Sequence, residues 1–177
     1  MSGVRLVVSS RFMAIPSDAH LLAFGRIIHN FATAETGIKL VLSGVLDTHI
    51  DAALIAFQPY SASQLRDVAK SLAKERLKPP LAEQFCQLVG DWSAFSSLRN
   101  LIAHSRWTDA HREGAIKPRR VEIRKGRADW IGNKETEETF TAAELEQRAY
   151  ELHLVNEQLK GFLQTSGLAD VIDSKID

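Results

Sequence analysis

A single cysteine, Cys86, is all the thiol chemistry this chain has. An internal disulfide is excluded, and so is a thiolate metal cluster. In its apolar helical context Cys86 reads as a small core residue. Net charge is missing as well. The 22 Lys and Arg balance the 22 Asp and Glu, so no overall field draws the chain to nucleic acid or to an anionic membrane. Long apolar runs are also absent. The best candidate, residues 38–57, is broken by Lys39, Asp47, His49 and Asp51 and does not read as a bilayer span. Residues 4–8 contain Arg5 and are too short for the apolar core of a secretory signal, so a cytoplasmic location with no membrane partner is expected. There is no glycine-rich phosphate loop, no Ser-His-Asp order and no internal repeat. His29, His49, His111 and His153 lack ligand-like spacing and read as surface or edge residues, so no metal and no cofactor are expected.

What the chain does have is helical periodicity. Its 177 residues suffice for one domain with a real core. Pro16, Ser17 and Asp18 make a helix start. From there Leu21, Phe24, Ile28, Phe31, Glu35, Ile38, Leu42 and Val45 recur in steps of three and four, predicting a helix over about 18–46. Thr48 is a cap for a short helix ending near Phe57. Ser61 or Ser63 opens another, ended by Pro79-Pro80. Leu81, Phe85, Leu88, Trp92, Phe95, Arg99 and Ile102 then predict a helix over about 81–107, with Gly90 as a candidate kink. Thr141 and Glu144 form a capping-box pattern opening a last helix to about 164. Residues 108–117 read as loop, and residues 118–132 as a β-hairpin turning at 125–127. The expected architecture is mainly all-α: a single helical domain over 17–165, with a small β-hairpin inserted before the C-terminal helix. It is flanked by a leader at 1–16, loose or with a short strand, and a flexible tail at 166–177.

Two charged residues, Glu35 and Arg99, fall on apolar stripes. A buried charge needs a partner. One expectation is that they pair with each other across packed helices. That arrangement suits a held catalytic Arg or an inert ion pair equally.

The chemically distinctive stretch is LRNLIAHSRW at 98–107. On a helix Asn100, His104 and Trp107 share one face. Arg99 stands five residues from His104, so the two diverge by roughly 140° and ~7.5 Å of rise. Convergence on one atom needs a bend, or a second copy of the chain. Histidine can move a proton near neutral pH. Arginine offers a planar fork matched to phosphate oxygens. Asparagine can orient either one.

Arg99, Asn100 and an apolar run ending in His104 resemble the motif of the HEPN family, an Arg and a His separated by four to six residues, often with a polar residue directly after the Arg. The resemblance implies a helical bundle. Many members are metal-independent endoribonucleases that act as dimers with both motifs facing one cleft, in toxin–antitoxin or anti-phage systems, whereas others are non-catalytic. It further implies Arg99 and His104 as the catalytic pair and Asn100 as their support, with Glu35 as an outside candidate. In RNA the attacking 2′-hydroxyl belongs to the substrate, so neither a protein nucleophile nor a metal is required.

The hairpin region is the most basic part of the chain. Between Arg112 and Arg127 lie seven Arg or Lys against Glu113 and Glu122. Arg119, Arg120, Arg124, Lys125 and Arg127 are candidate contacts to an RNA backbone. The bland alternative is an edge hairpin kept soluble by charge. A homodimer, RNA and an antitoxin are the expected partners. The competing function is a non-catalytic helical adaptor, in which Arg99 and Glu35 form a structural pair and His104 braces an interface.

Overall fold

The computed structural model describes residues 16–124, 127–131 and 138–174, and between 120 and 131 it describes the backbone. Residues 1–15 of the expected leader, and Lys125, lie outside the described residues. The fold is mainly α, with a small antiparallel sheet ahead of the long C-terminal helix.

Helix α1 spans Asp18–Val45 without a break. Ser17 caps it, its hydroxyl accepting from the His20 N–H. Its buried stripe runs through Phe24, Ile27, Phe31, Ala34, Ile38 and Val41. Two alanines, Ala23 and Ala34, take stripe positions that bulkier residues were expected to fill. Leu21 is consequently half exposed, and Glu35 moves from the middle of the stripe to its edge. Helix α2, Ile50–Phe57, is capped by His49 rather than Thr48. Helix α3, Ala62–Arg76, opens with a Ser61–Gln64 capping box. Pro79 and Pro80 then begin helix α4, Pro79–Ala94, as first-turn residues with no amide hydrogen to lose.

The predicted helix over 81–107 is broken. Helix α4 stops at Ala94, and α5 covers only Ser96–His104. Gly90 does not cause the bend. It lies inside α4, where a Cβ would sit 3.3 Å from Lys70 Nζ. The break is at Phe95, whose N–H reaches the Trp92 carbonyl in a tightened turn. Two serines compete for the helix carbonyls there. Ser93 Oγ donates to the Gly90 carbonyl at 2.9 Å and Ser96 Oγ to the Ser93 carbonyl at 2.7 Å.

After His104 the chain becomes extended. Strand β1, Arg106–Asp109, contains Trp107, which therefore does not share a helical face with Asn100 and His104. β1 pairs antiparallel with β2, Ala115–Arg124, placing Arg106 opposite Arg119 and Thr108 opposite Lys117. Part of the predicted 108–117 loop is thus strand. Gly114 makes the turn into β2 at φ +65°. The expected hairpin is β2 with β3, Arg127–Ile131, in the register Arg124 opposite Arg127. A two-residue strand β4, Phe140–Thr141, adds to the start of β2.

Helix α6, Ala142–Thr165, carries the expected Thr141–Glu144 capping box. It runs parallel to α1. Arg26 pairs with Glu146, Asn30 Nδ2 donates to the Ala149 carbonyl at 2.9 Å, and Gly37 faces Leu159. α4 runs opposite to α6, with Phe85 stacked on Phe162 and the α4 C-terminus near Arg148. The core sits among these three helices, around Ile27, Phe31, Phe85, Trp92, Leu152 and Phe162. Within the predicted tail, Leu168–Asp173 forms a short helix α7. Leu168 and Ile172 are buried, and Leu168 approaches Gly44 so closely that a Cβ there would lie 3.0 Å away. Among the described residues no helix is long and apolar enough to cross a membrane.

Candidate functional site

The motif helix is mounted on the aromatic centre of the core. Trp92 is fully buried, stacks on Phe31 at 4.9 Å and donates through its indole N–H to the Phe31 carbonyl at 3.2 Å. That contact pins the end of α4 to α1. The turn at Phe95 then carries α5 across Phe31. The Arg99 guanidinium lies 6.0 Å from the Phe31 ring centre, at the outer limit of a cation–π contact. Trp107 anchors the other side, 7% exposed and 4.7 Å from Phe24, about two helical turns from Phe31 along the same α1 stripe. α5 is therefore a short helix held at both ends by tryptophans.

No residue of α5 is fully buried. Arg99 is half-buried, whereas Asn100 and His104 are exposed. Arg99 Nη1 donates to Asn100 Oδ1 at 3.1 Å. His104 is the last residue of the helix and Ser105 is already extended. Asn100 thus holds the guanidinium, and His104 faces solvent at the point where the chain enters β1. Arg99 and His104 remain five positions apart on one nine-residue helix, so their angular divergence stands. The bend at Phe95 precedes both and does not bring them together.

Glu35 does not pair with Arg99. Its carboxylate accepts from Lys39 Nζ at 2.7 Å, one turn along α1. Lys39 is 9% exposed, and the carboxylate is what makes burial of that ammonium tolerable. A Glu followed four residues later by a Lys is the favourable order on a helix. This spacing is legible in the sequence and identifies Lys39, which the stripe analysis missed. Glu35 lies one turn from Phe31, the ring beneath Arg99, but its carboxylate is engaged elsewhere.

Of the basic candidates, Arg119 Nε donates to Thr108 Oγ1 at 3.2 Å, across the β1–β2 pair. Arg120 and Arg124 lie on β2 and Arg127 on β3. Arg106 is an addition. It is exposed, two residues after His104, and stands directly opposite Arg119. Arg112 belongs to a different structure. It donates to both Glu144 oxygens and tethers the β1–β2 turn to the first turn of α6. The Arg112 guanidinium, aided by the Thr141 N–H, holds the Glu144 carboxyl down to about 2.

Ser105 Oγ and Trp107 Nε1, just after the motif, are buried without a protein hydrogen-bond partner, as are His20 Nε2 on α1 and Asn156 Oδ1 on α6, so this feature does not single out the motif. Cavities of about 240, 300 and 410 Å³ lie respectively beside the start of α5, at Arg26–Tyr150, and along the α1–α6 seam at Gly37, and none of them is lined by Arg99 or His104. Among the described residues no three His, Cys, Asp or Glu side chains gather as a metal-ligand set. The chain matches no family model, no curated protein and no solved structure.

Proposed function

We propose that the protein is a metal-independent endoribonuclease of HEPN type that acts as a homodimer. The observation that carries this reading is the state of α5, with a guanidinium held by Asn100 and an imidazole left in solvent at the helix end. Arg99 binds the scissile phosphate and stabilises charge gathering on its oxygens. His104 acts as general acid or base: it takes the 2′-hydroxyl proton, or gives one to the departing 5′-oxygen. The 2′-oxygen bonds to phosphorus, the bond from phosphorus to the 5′-oxygen breaks, and a cyclic phosphate and a 5′-hydroxyl result. One helix does not aim both side chains at one atom, so a second copy facing the first supplies the complementary His104.

The strand pair beyond His104 supports the same reading. Arg106 and Arg119 are cross-strand neighbours, so two guanidinium groups stand together just beyond His104, where an RNA backbone phosphate can meet them. A cytoplasmic toxin or anti-phage role, with an antitoxin as partner, is the setting the HEPN resemblance implies. The alternative is a non-catalytic helical adaptor. It draws on the placement of Arg99 over Phe31, a contact an inert packing arginine would also make.

The test is cleavage of mixed RNA by the purified protein in EDTA, wild type beside His104→Ala. Cleavage by the wild type alone, with cyclic-phosphate ends, supports the enzyme. An unaltered fold and dimer in a fully active His104→Ala protein removes His104 from the mechanism.

A further inference from the structure

We propose that the cavity beside the first turn of α5 binds a guanine base of the RNA strand and so sets where that strand is cut. The inference rests on the ribonuclease reading of α5. The cavity measures about 240 Å³ and is lined by Phe95, Ser97, Leu98, Glu138, Phe140 and Arg148 among others. Sites for drug-sized ligands begin near 300 Å³, so this one suits a single heterocycle rather than a whole nucleotide.

Its position ties it to the motif. Ser97, Asn100 and His104 stand at i, i+3 and i+7 of α5 and are all exposed, so they share the solvent face of that helix. Ser97 lines the cavity at one end of this face and His104 stands at the other, ~10 Å along the axis. A phosphate within reach of His104 on this face therefore leaves a neighbouring nucleotide near the cavity. Single-stranded RNA can splay such a base out of its stack.

The wall chemistry selects the base. Phe95 and Phe140 are half-buried rings, and Leu98 adds an apolar surface, which suits an aromatic plane. Glu138 contributes an acceptor-only carboxylate. Arg148 contributes a fork of donors, of which Nη1 is already used on Glu151 at 3.0 Å. Nε and Nη2 remain to point a second pair of donors. Guanine offers two adjacent donors, N1–H and N2–H, to a carboxylate. It also offers two adjacent acceptors, O6 and N7, to a guanidinium. Adenine turns its N1 acceptor toward the carboxylate and is repelled. A pyrimidine fills less of the space between the rings.

The experiment uses full-length protein carrying His104→Ala, which binds without cutting. Guanosine, adenosine, cytidine and uridine 5′-monophosphates are each titrated and followed by NMR or calorimetry. The expected result is guanosine monophosphate bound at least about tenfold tighter than the other three, with that margin lost on adding Glu138→Gln or Arg148→Ala. Both of these residues are exposed, so the substitutions remove no buried contact. Equal binding of all four nucleotides, binding of none, or a guanosine preference that survives both substitutions overturns the proposal. Mapping the cuts made by the wild type separates the two claims. Cleavage with no guanosine beside the cut removes the base pocket and leaves the ribonuclease. Selective guanosine binding without any cleavage leaves the pocket and removes the ribonuclease.

Discussion

Glu35 on α1 and Arg99 on α5 are both charged side chains at the margin of an apolar helical face, and their surroundings differ. Glu35 finds its counter-ion on its own helix, in Lys39, and the pair is largely withdrawn from solvent. Arg99 has a neutral neighbour, Asn100, and an aromatic ring beneath it. A charge neutralised within its own helix has little left to offer a ligand. A guanidinium oriented by an amide and left without a carboxylate keeps its affinity for phosphate. The helices differ in the same sense. α1 is 28 residues long and packed along its length, whereas α5 is nine residues long with no fully buried side chain.

Removing the contact on which both regions depend gives the largest effect. Trp92→Ala should lower stability by about 3–5 kcal/mol, since it empties the site between α1 and α4 and frees the Phe31 carbonyl. Chemical denaturation reads this, and a loss under about 1 kcal/mol would show that α5 is not mounted on this contact. Next come Arg99→Ala and Glu35→Ala, made side by side. The first should cut RNA cleavage by about 10²–10³-fold and leave the melting temperature nearly unchanged. The second should do the reverse, with cleavage retained and stability lowered by about 1–3 kcal/mol as Lys39 loses its partner. The opposite pattern would make Arg99 the structural charge and Glu35 the functional one. The smallest effect belongs to Glu144→Gln. The Glu144 carboxyl is held down to about 2 in the folded chain, so its contribution is complete above its ordinary range near 4.5 and is lost as pH falls toward 2. Acid-unfolding curves of the variant should be flatter than those of the wild type through that window. Identical curves would mean that the Arg112 tether does not stabilise the fold.

Much of the fold was legible because helical periodicity reports burial directly. α1 begins and ends within a residue of its expected bounds, and the Thr141–Glu144 box marks the start of α6. The same signal failed over 81–107, because an apolar stripe continues across a bend. Phe95 and Trp107 fit the helical stepping, yet one is the bend and the other sits in a strand. What redirected the chain was serine hydroxyls bonding to helix carbonyls and strand pairing with β2, a segment ten or so residues further on. Neither is visible as periodicity. Glu35 was misplaced for a related reason: Ala34 is small enough to be overlooked in a hydrophobic count, yet it occupies the buried position beside it. The motif itself was legible as Arg99, Asn100 and His104. The residues around it that fold from distant positions, Arg106 opposite Arg119 and the Glu138, Phe140 and Arg148 walls, were not.

The central claim is that the exposed imidazole of α5 performs chemistry. It is tested most directly by incubating mixed RNA with wild-type and His104→Ala protein in EDTA and analysing the ends produced. The account predicts cuts with cyclic-phosphate ends from the wild type and none from His104→Ala, with both proteins equally folded and equally dimeric. Equal cleavage by the two, or an absence of cleavage by the wild type on every RNA offered, would contradict it.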